Sequence, residues 1–256
     1  MFSSLNALLD WHSPDDYPQE SLTLFLDVYK SDSQFMLYHY ILLYLTSSLS
    51  RKVYFLGMCT PSRETCITQL DRLASHSASS TTFNTLYNDR FHYIDCLSYS
   101  TQLIDMDPFV FFSEILVSNG IQEGDLLLID DISWLLIAFP LLSPVDFMRF
   151  LVHFVVHEKK ANIGLCLHKD TIAIHSQYAS LLKWSLLYGD LVFDLTPLAF
   201  RMSKSIDGEL SVYQGPNATF CSSKRPRFKP LSHVHYKVSD SDVKFWFKGS
   251  ITGKTH

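Results

Sequence analysis

The sequence predicts an α/β protein: a mostly parallel sheet flanked by helices, extended at the C-terminus by antiparallel hairpins. Three observations carry this expectation. Short apolar runs alternate with stretches of helical periodicity from Leu22 to about Leu195. The run Leu126–Asp131, LLLIDD, is unbroken by any polar residue until it ends in two carboxylates, as suits a strand buried on both faces. Beyond Leu195 the alternation stops, and Asp207-Gly208 between apolar stretches signals a hairpin.

The chain has 256 residues, of which 47% are hydrophobic, 18% charged and 14% aromatic, enough for a sizeable core and incompatible with global disorder. The net charge of −5 argues against a nucleic-acid binder acting alone, because phosphate neutralisation dominates such binding. The five cysteines, Cys59, Cys66, Cys96, Cys166 and Cys221, form no CxxC pair, and three lie in or beside apolar runs. They read as reduced, buried thiols of a cytosolic protein. The N-terminus has neither a basic segment nor a long apolar stretch, so no signal peptide is expected. The most apolar window, Leu126 to Leu142, is interrupted by Asp130 and Asp131, so no membrane span is expected either.

In chain order, Phe2, Leu5, Leu8 and Leu9 have helical spacing, and Pro14 and Pro18 end that helix. Leu22–Tyr29 is the first expected strand, followed by a helix over Ser33–Leu45. Val53–Cys59 is a strand, and Pro61-Ser62 opens a helix to about Ser75. His76–Asn88, rich in Ser, Thr and Asn, reads as a surface loop. Phe91–Leu97 is a strand, Pro108 starts a helix to Val117, and Asn119-Gly120 ends it. After LLLIDD come a helix Val145–Glu158, a strand Asn162–His168, a helix Gln177–Tyr188 and a strand Asp190–Leu195. Two hairpins close the chain: Leu198–Lys204 with Glu209–Gln214, and Val234–Val238 with Val243–Lys248. One domain over 1–256 is expected, with an N-terminal helix and loop (1–20) and a hairpin extension (198–256).

This layout is that of a RecA-like domain. Its ATPase chemistry needs a glycine-rich loop after the first strand, whose backbone N–H groups wrap phosphates and whose lysine reaches the outer ones. Here the equivalent segment, Tyr29 to Gln34, has no glycine. Lys30-Ser31 echoes the end of the motif but follows the strand directly, and Asp32 adds negative charge. The chain therefore lacks a P-loop. Lys30, Ser31, Asp130 and Asp131 read as the remnant of a nucleotide site, with no catalytic residue and no metal or cofactor expected. The plain alternative for the two aspartates is a cap on the following segment and a polar contact at the strand end.

His153 and His157 have zinc-compatible spacing on a helix, but Phe154 stands where HExxH has glutamate. His233 and His235 share a strand face with no cysteine at zinc-finger spacing. Both pairs read as surface residues. The basic loop Lys224, Arg225, Arg227 and Lys229, with Phe228, could contact an RNA backbone, as could Lys169 at the end of its strand. Trp134, Phe245, Trp246 and Phe247 are candidates for a subunit interface.

Over nearly its full length the chain resembles the sixth-subunit family of the Elongator complex. The resemblance runs through MFSSLNALL, LTLFLDVYKSDSQFMLYHYILLYL, LLLIDDISWLL, the VDFMRFLVH helix and the closing HYKVSDSDVKFWFKG hairpin. Order and spacing carry it, and the related fifth subunit is the nearest alternative. The resemblance implies a non-catalytic member of a hetero-hexameric RecA-like ring, built with the fourth and fifth subunits. That ring binds tRNA, joins the catalytic Elongator subcomplex and supports modification of the wobble uridine. It implies no membrane partner and a cytoplasmic location extending to the nucleus. Two other readings are a divergent RecA-like ATPase and a stand-alone RNA-binding module.

Overall fold

The computed structural model describes residues 3–12, 16–28, 33–48, 50–58, 62–74, 87–99, 106–170, 176–198, 205–216, 230–239 and 242–248. Nine strands form one sheet: β1 (Leu22–Asp27), β2 (Val53–Gly57), β3 (Phe91–Asp95), β4 (Leu126–Asp130), β5 (Asn162–His168), β6 (Leu191–Pro197), β7 (Gly208–Gln214), β8 (Leu231–Val238) and β9 (Val243–Phe247). Their spatial order is β3-β2-β4-β5-β1-β6-β7-β8-β9. The first six pair in parallel, and β6 to β9 pair antiparallel. The expected α/β class and its antiparallel C-terminal extension are thus both present.

The described helices are α1 (Ser3–Leu9), α2 (Gln34–Ser47), α3 (Arg63–Ala74), α4 (Pro108–Ser118), α5 (Leu135–Ala138), α6 (Pro144–Leu151) and α7 (Ser176–Tyr188). Alternate strand residues face opposite ways. Phe25, Phe55, Leu128 and Phe193 pack under α1, α2 and α3. Leu24, Leu127, Ile129 and Leu165 pack under α4, α5, α6 and α7. Every residue of β1, β2 and β4 is buried, as continuous apolar runs in a doubly covered sheet should be. Gly164 of β5 leaves room for its neighbours: a Cβ there would lie 2.3 Å from Cδ2 of Leu128 and 3.2 Å from Cε2 of Phe25.

Helix α2 is buried without a break from Met36 to Leu45, so it has no solvent face. Within it, burial pushes the His39 imidazole down to about 3, with the N-terminal charge acting the same way. The neutral ring bonds the Asn6 carbonyl at 3.0 Å and ties α1 to α2. Helix α4 begins as its sequence suggests, with Pro108 in the first turn and the Asp107 carboxylate accepting from the Phe109 and Val110 amides.

Three expectations are corrected. The helix Val145–Glu158 is two segments, α6 followed by a π-helix over Val152–Glu158. The wider winding brings His153 Nδ1 and Glu158 Oε1 to within 3.1 Å of each other. The strand beginning at Phe91 stops at Asp95, and Cys96–Tyr99 turns into a 3-10 helix. The first C-terminal hairpin pairs differently: β7 lies against β6, from Leu191↔Gln214 to Pro197↔Gly208. Gly208 serves close approach here, because a Cβ would meet Tyr236 Oη at 2.5 Å and Thr196 O at 2.7 Å. Residues 199–204 of the expected partner lie outside the described residues. The second hairpin, β8 with β9, pairs as expected. Among the described residues no helix is long and apolar enough to cross a membrane.

Candidate functional site

In an open α/β sheet, ligands bind beyond the carboxyl ends of the strands, where the connections diverge. Here that place lies around β1, flanked by β5 and β6, with β4 one strand further on. At the ends of three of these strands ionisable residues gather: Asp27 on β1, Asp130 and Asp131 at β4, His168 on β5.

Asp27 is fully buried and both of its oxygens are engaged. Oδ2 accepts the backbone N–H of Ser33, the residue capping α2, at 2.8 Å. Oδ1 is bonded to Nδ1 of His168. The other imidazole nitrogen, Nε2, lies 3.9 Å from Oδ2 of Asp131. Asp131 caps the 3-10 turn Ile132–Trp134, accepting the Ser133 N–H at 2.8 Å and the Ser133 hydroxyl. The Asp130–Asp131 peptide is cis. The Asp130 carbonyl accepts the Met58 amide at 2.7 Å, continuing the β4–β2 pairing past its end. Below the cluster, Ser33 Oγ and Cys166 Sγ are 3.1 Å apart.

The electrostatics follow from this geometry. The bond to Asp27 raises His168 to about 9, assisted by the charges of Asp27, Asp131 and Asp130 and opposed by burial. His168 is therefore an imidazolium at neutral pH, bracketed by two carboxylates. Burial pushes Asp131 above the usual carboxylate range, against the Ser133 bonds and the His168 charge. Burial, reinforced by the same three aspartates, holds the Cys166 thiol well above its ordinary value, so it is protonated.

A magnesium nucleotide does not fit these residues. A P-loop helix offers its first amides to phosphate, whereas here the amide of Ser33, the residue before α2, is taken by Asp27. The sequence has no glycine between Leu22 and Leu56 to wrap a phosphate chain. The cation beside the carboxylates is His168, on the chain itself.

Of the residues singled out in sequence, Asp130 and Asp131 lie at this edge. Lys30 and Ser31 lie outside the described residues, as do Lys224, Arg225, Arg227 and Lys229. Lys169 is engaged by Asp194 of β6 in an ion pair. Trp134 is partly buried against the α4–α7 side of the core. Phe245 faces inward, with its ring 6.4 Å from those of Phe35 and Tyr236, and packs in the core. Trp246 is half-buried, edge-on to His235, and Phe247 is exposed. Sequence reasoning missed Asp27, Cys166 and His168. The available signal was that LTLFLD and NIGLCLH, like LLLIDD, each end an apolar run in an ionisable residue.

Protein-family models and curated proteins give no match to this chain. Among solved structures, the flagellar accessory protein FlaH from Methanocaldococcus jannaschii is similar at 13% identity and a TM-score of 0.65, over 97% of this chain and 98% of that one. A KaiC-like protein from Pyrococcus horikoshii OT3 is similar at 8% identity and a TM-score of 0.54, over 96% of each chain. At such identities the likeness is one of architecture, and the chain has the RecA-like fold of these two proteins.

Proposed function

We propose that this chain is a non-catalytic subunit of a hetero-hexameric ring of RecA-like domains, occupying the sixth-subunit position of the Elongator complex. In this reading it assembles with the fourth and fifth subunits, and the ring binds tRNA for wobble-uridine modification by the catalytic subcomplex. The observation that carries the non-catalytic part is the Asp27 carboxylate. It accepts the amide at the N-terminal end of α2, where an ATPase would hold phosphate, and is itself neutralised by His168. The resemblance in segment order, from MFSSLNALL to HYKVSDSDVKFWFKG, supplies the assignment to this ring.

A ring subunit needs two different contact surfaces, one for each neighbour. Two exposed apolar regions support that requirement. One is at Leu141, which is 99% exposed. It borders a cavity of about 400 Å³ lined by Met106, Phe109, Phe139 and Leu142. The other is at Phe247, at the end of β9.

Co-expression with the two sister subunits tests the proposal. The expected result is a complex containing the three chains in equal amounts, which Leu141→Asp or Phe247→Asp weakens at one junction each. A monomer that ignores both sisters would refute it. The retained aspartates after β4 favour a divergent ATPase as the second reading, which requires ATP hydrolysis by the purified chain and its loss in Asp130→Ala.

A further inference from the structure

One group of side chains at the β1–β5 edge suits a ligand other than a nucleotide. Asp27, Cys166 and His168 each direct one donor atom inward, and these atoms all lie within 4.8 Å of one another. Asp27 and Cys166 are buried, whereas the His168 side chain is 32% exposed, which leaves one open approach from solvent. A thiol, an imidazole and a carboxylate form a borderline-soft donor set, the type that selects zinc over magnesium.

We propose that Asp27, Cys166 and His168 bind one divalent transition ion, of the zinc class, through a carboxylate oxygen, a thiolate and Nδ1. The ion takes the place of the proton held between His168 Nδ1 and Asp27 Oδ1. That proton and the Cys166 thiol proton both leave to solvent. The surroundings supply an outer layer of polar partners. Asp131 Oδ2, 3.9 Å from His168 Nε2, stands where a carboxylate orients a metal-bound imidazole. Ser33 supports both other donors, with its amide on Asp27 and its hydroxyl 3.1 Å from Cys166 Sγ. Asp27 and Ser33 come from one end of the chain, and Cys166 and His168 from a strand more than 130 positions later, so the ion would clamp β1 to β5. This inference is independent of the ring assignment.

The test is cobalt titration of the purified full chain after chelator treatment, followed by displacement with zinc. The expected result is one equivalent of bound Co²⁺ with sulfur-to-cobalt charge-transfer absorption and intense tetrahedral ligand-field bands, all lost on adding one equivalent of Zn²⁺. Cys166→Ser should abolish the charge-transfer absorption. Asp131→Asn should keep the spectrum and weaken affinity by about 10–100-fold. The surface variant His153→Gln/His157→Gln should change neither. Absence of the charge-transfer absorption in the unaltered chain would overturn the proposal. So would its survival in Cys166→Ser or its loss in the His153/His157 variant. Should Cys166→Ser fail to fold, His168→Gln serves in its place: retention of the full charge-transfer spectrum and affinity in that variant would overturn the proposal.

Discussion

Two polar clusters on this sheet are built from the same residue types and behave differently. At the parallel edge, His168 sits between Asp27 and Asp131, and the Asp27 side chain is wholly inaccessible. On the antiparallel extension, Glu209 of β7 gathers His233 and His235 of β8 at 3.0 and 3.3 Å, and Lys248 at 3.1 Å. His233 and Lys248 are about two-thirds exposed there, at 65% and 64%. Burial opposes ionisation of Glu209, but the bonds from Lys248 and His233 outweigh it and lower its pKa. The first cluster is buried and interdependent: each charge needs the other. The second is covered on one side only: Glu209 and His235 are 16% and 13% exposed, but the charges of His233 and Lys248 reach water, which screens them. Burial decides which cluster can specify structure.

The largest effect should come from breaking the buried pair. His168→Ala leaves the Asp27 carboxylate without its cation and should cost about 3–5 kcal/mol in urea denaturation. A cost below about 1 kcal/mol would show the two clusters to be alike. The pair should also give a pH signature. The folded value of His168, about 9, lies above its ordinary 6.5, so its stabilisation is complete below pH 6.5 and is lost as pH rises through 9. Melting between pH 7 and 10 should show a loss of about 2 kcal/mol after allowing for solvent screening, and His168→Gln should lack it.

Asp190 sharpens the comparison, since it is a buried carboxylate in no ion pair among the described residues. Its Oδ2 accepts the Leu22 amide at 2.9 Å, and Oδ1 has no hydrogen-bond partner among the described residues. Burial pushes it up to about 7 from 3.8, so its contribution to stability falls as pH rises from 3.8 through 7. Asp190→Asn should therefore gain about 1 kcal/mol at pH 8 and nothing at pH 4, read from denaturation midpoints. The smallest effect belongs to the exposed cluster: Glu209→Gln should change stability by less than about 1 kcal/mol, and salt should diminish even that.

The sequence revealed the sheet more fully than the site, for physical reasons. Continuous apolar runs such as LLLID and LTLFL declare strands covered on both faces, and Pro108 and Asp107 declare a helix start through local bonds alone. The missing glycines were equally legible, because a phosphate loop is a contiguous motif. The Asp27–His168 bond is not contiguous: its partners are 141 positions apart and meet only through the parallel register Asp27↔His168. Likewise, Asp207-Gly208 was read as a hairpin turn, yet the Asp207 carboxylate bonds the Val238 amide and Lys237 of β8. The π-helix was hidden because VHFVVHE has ordinary helical spacing, and the wider winding leaves no mark in residue type.

The central claim is that the edge of the sheet where a RecA-like ATPase holds nucleotide is here occupied by the chain's own Asp27–His168–Asp131 cluster. Isothermal titration of the full-length chain with Mg-ATP tests it most directly. The account predicts a flat trace, unchanged in Asp131→Asn. Saturable one-to-one binding that Asp131→Asn abolishes would contradict it.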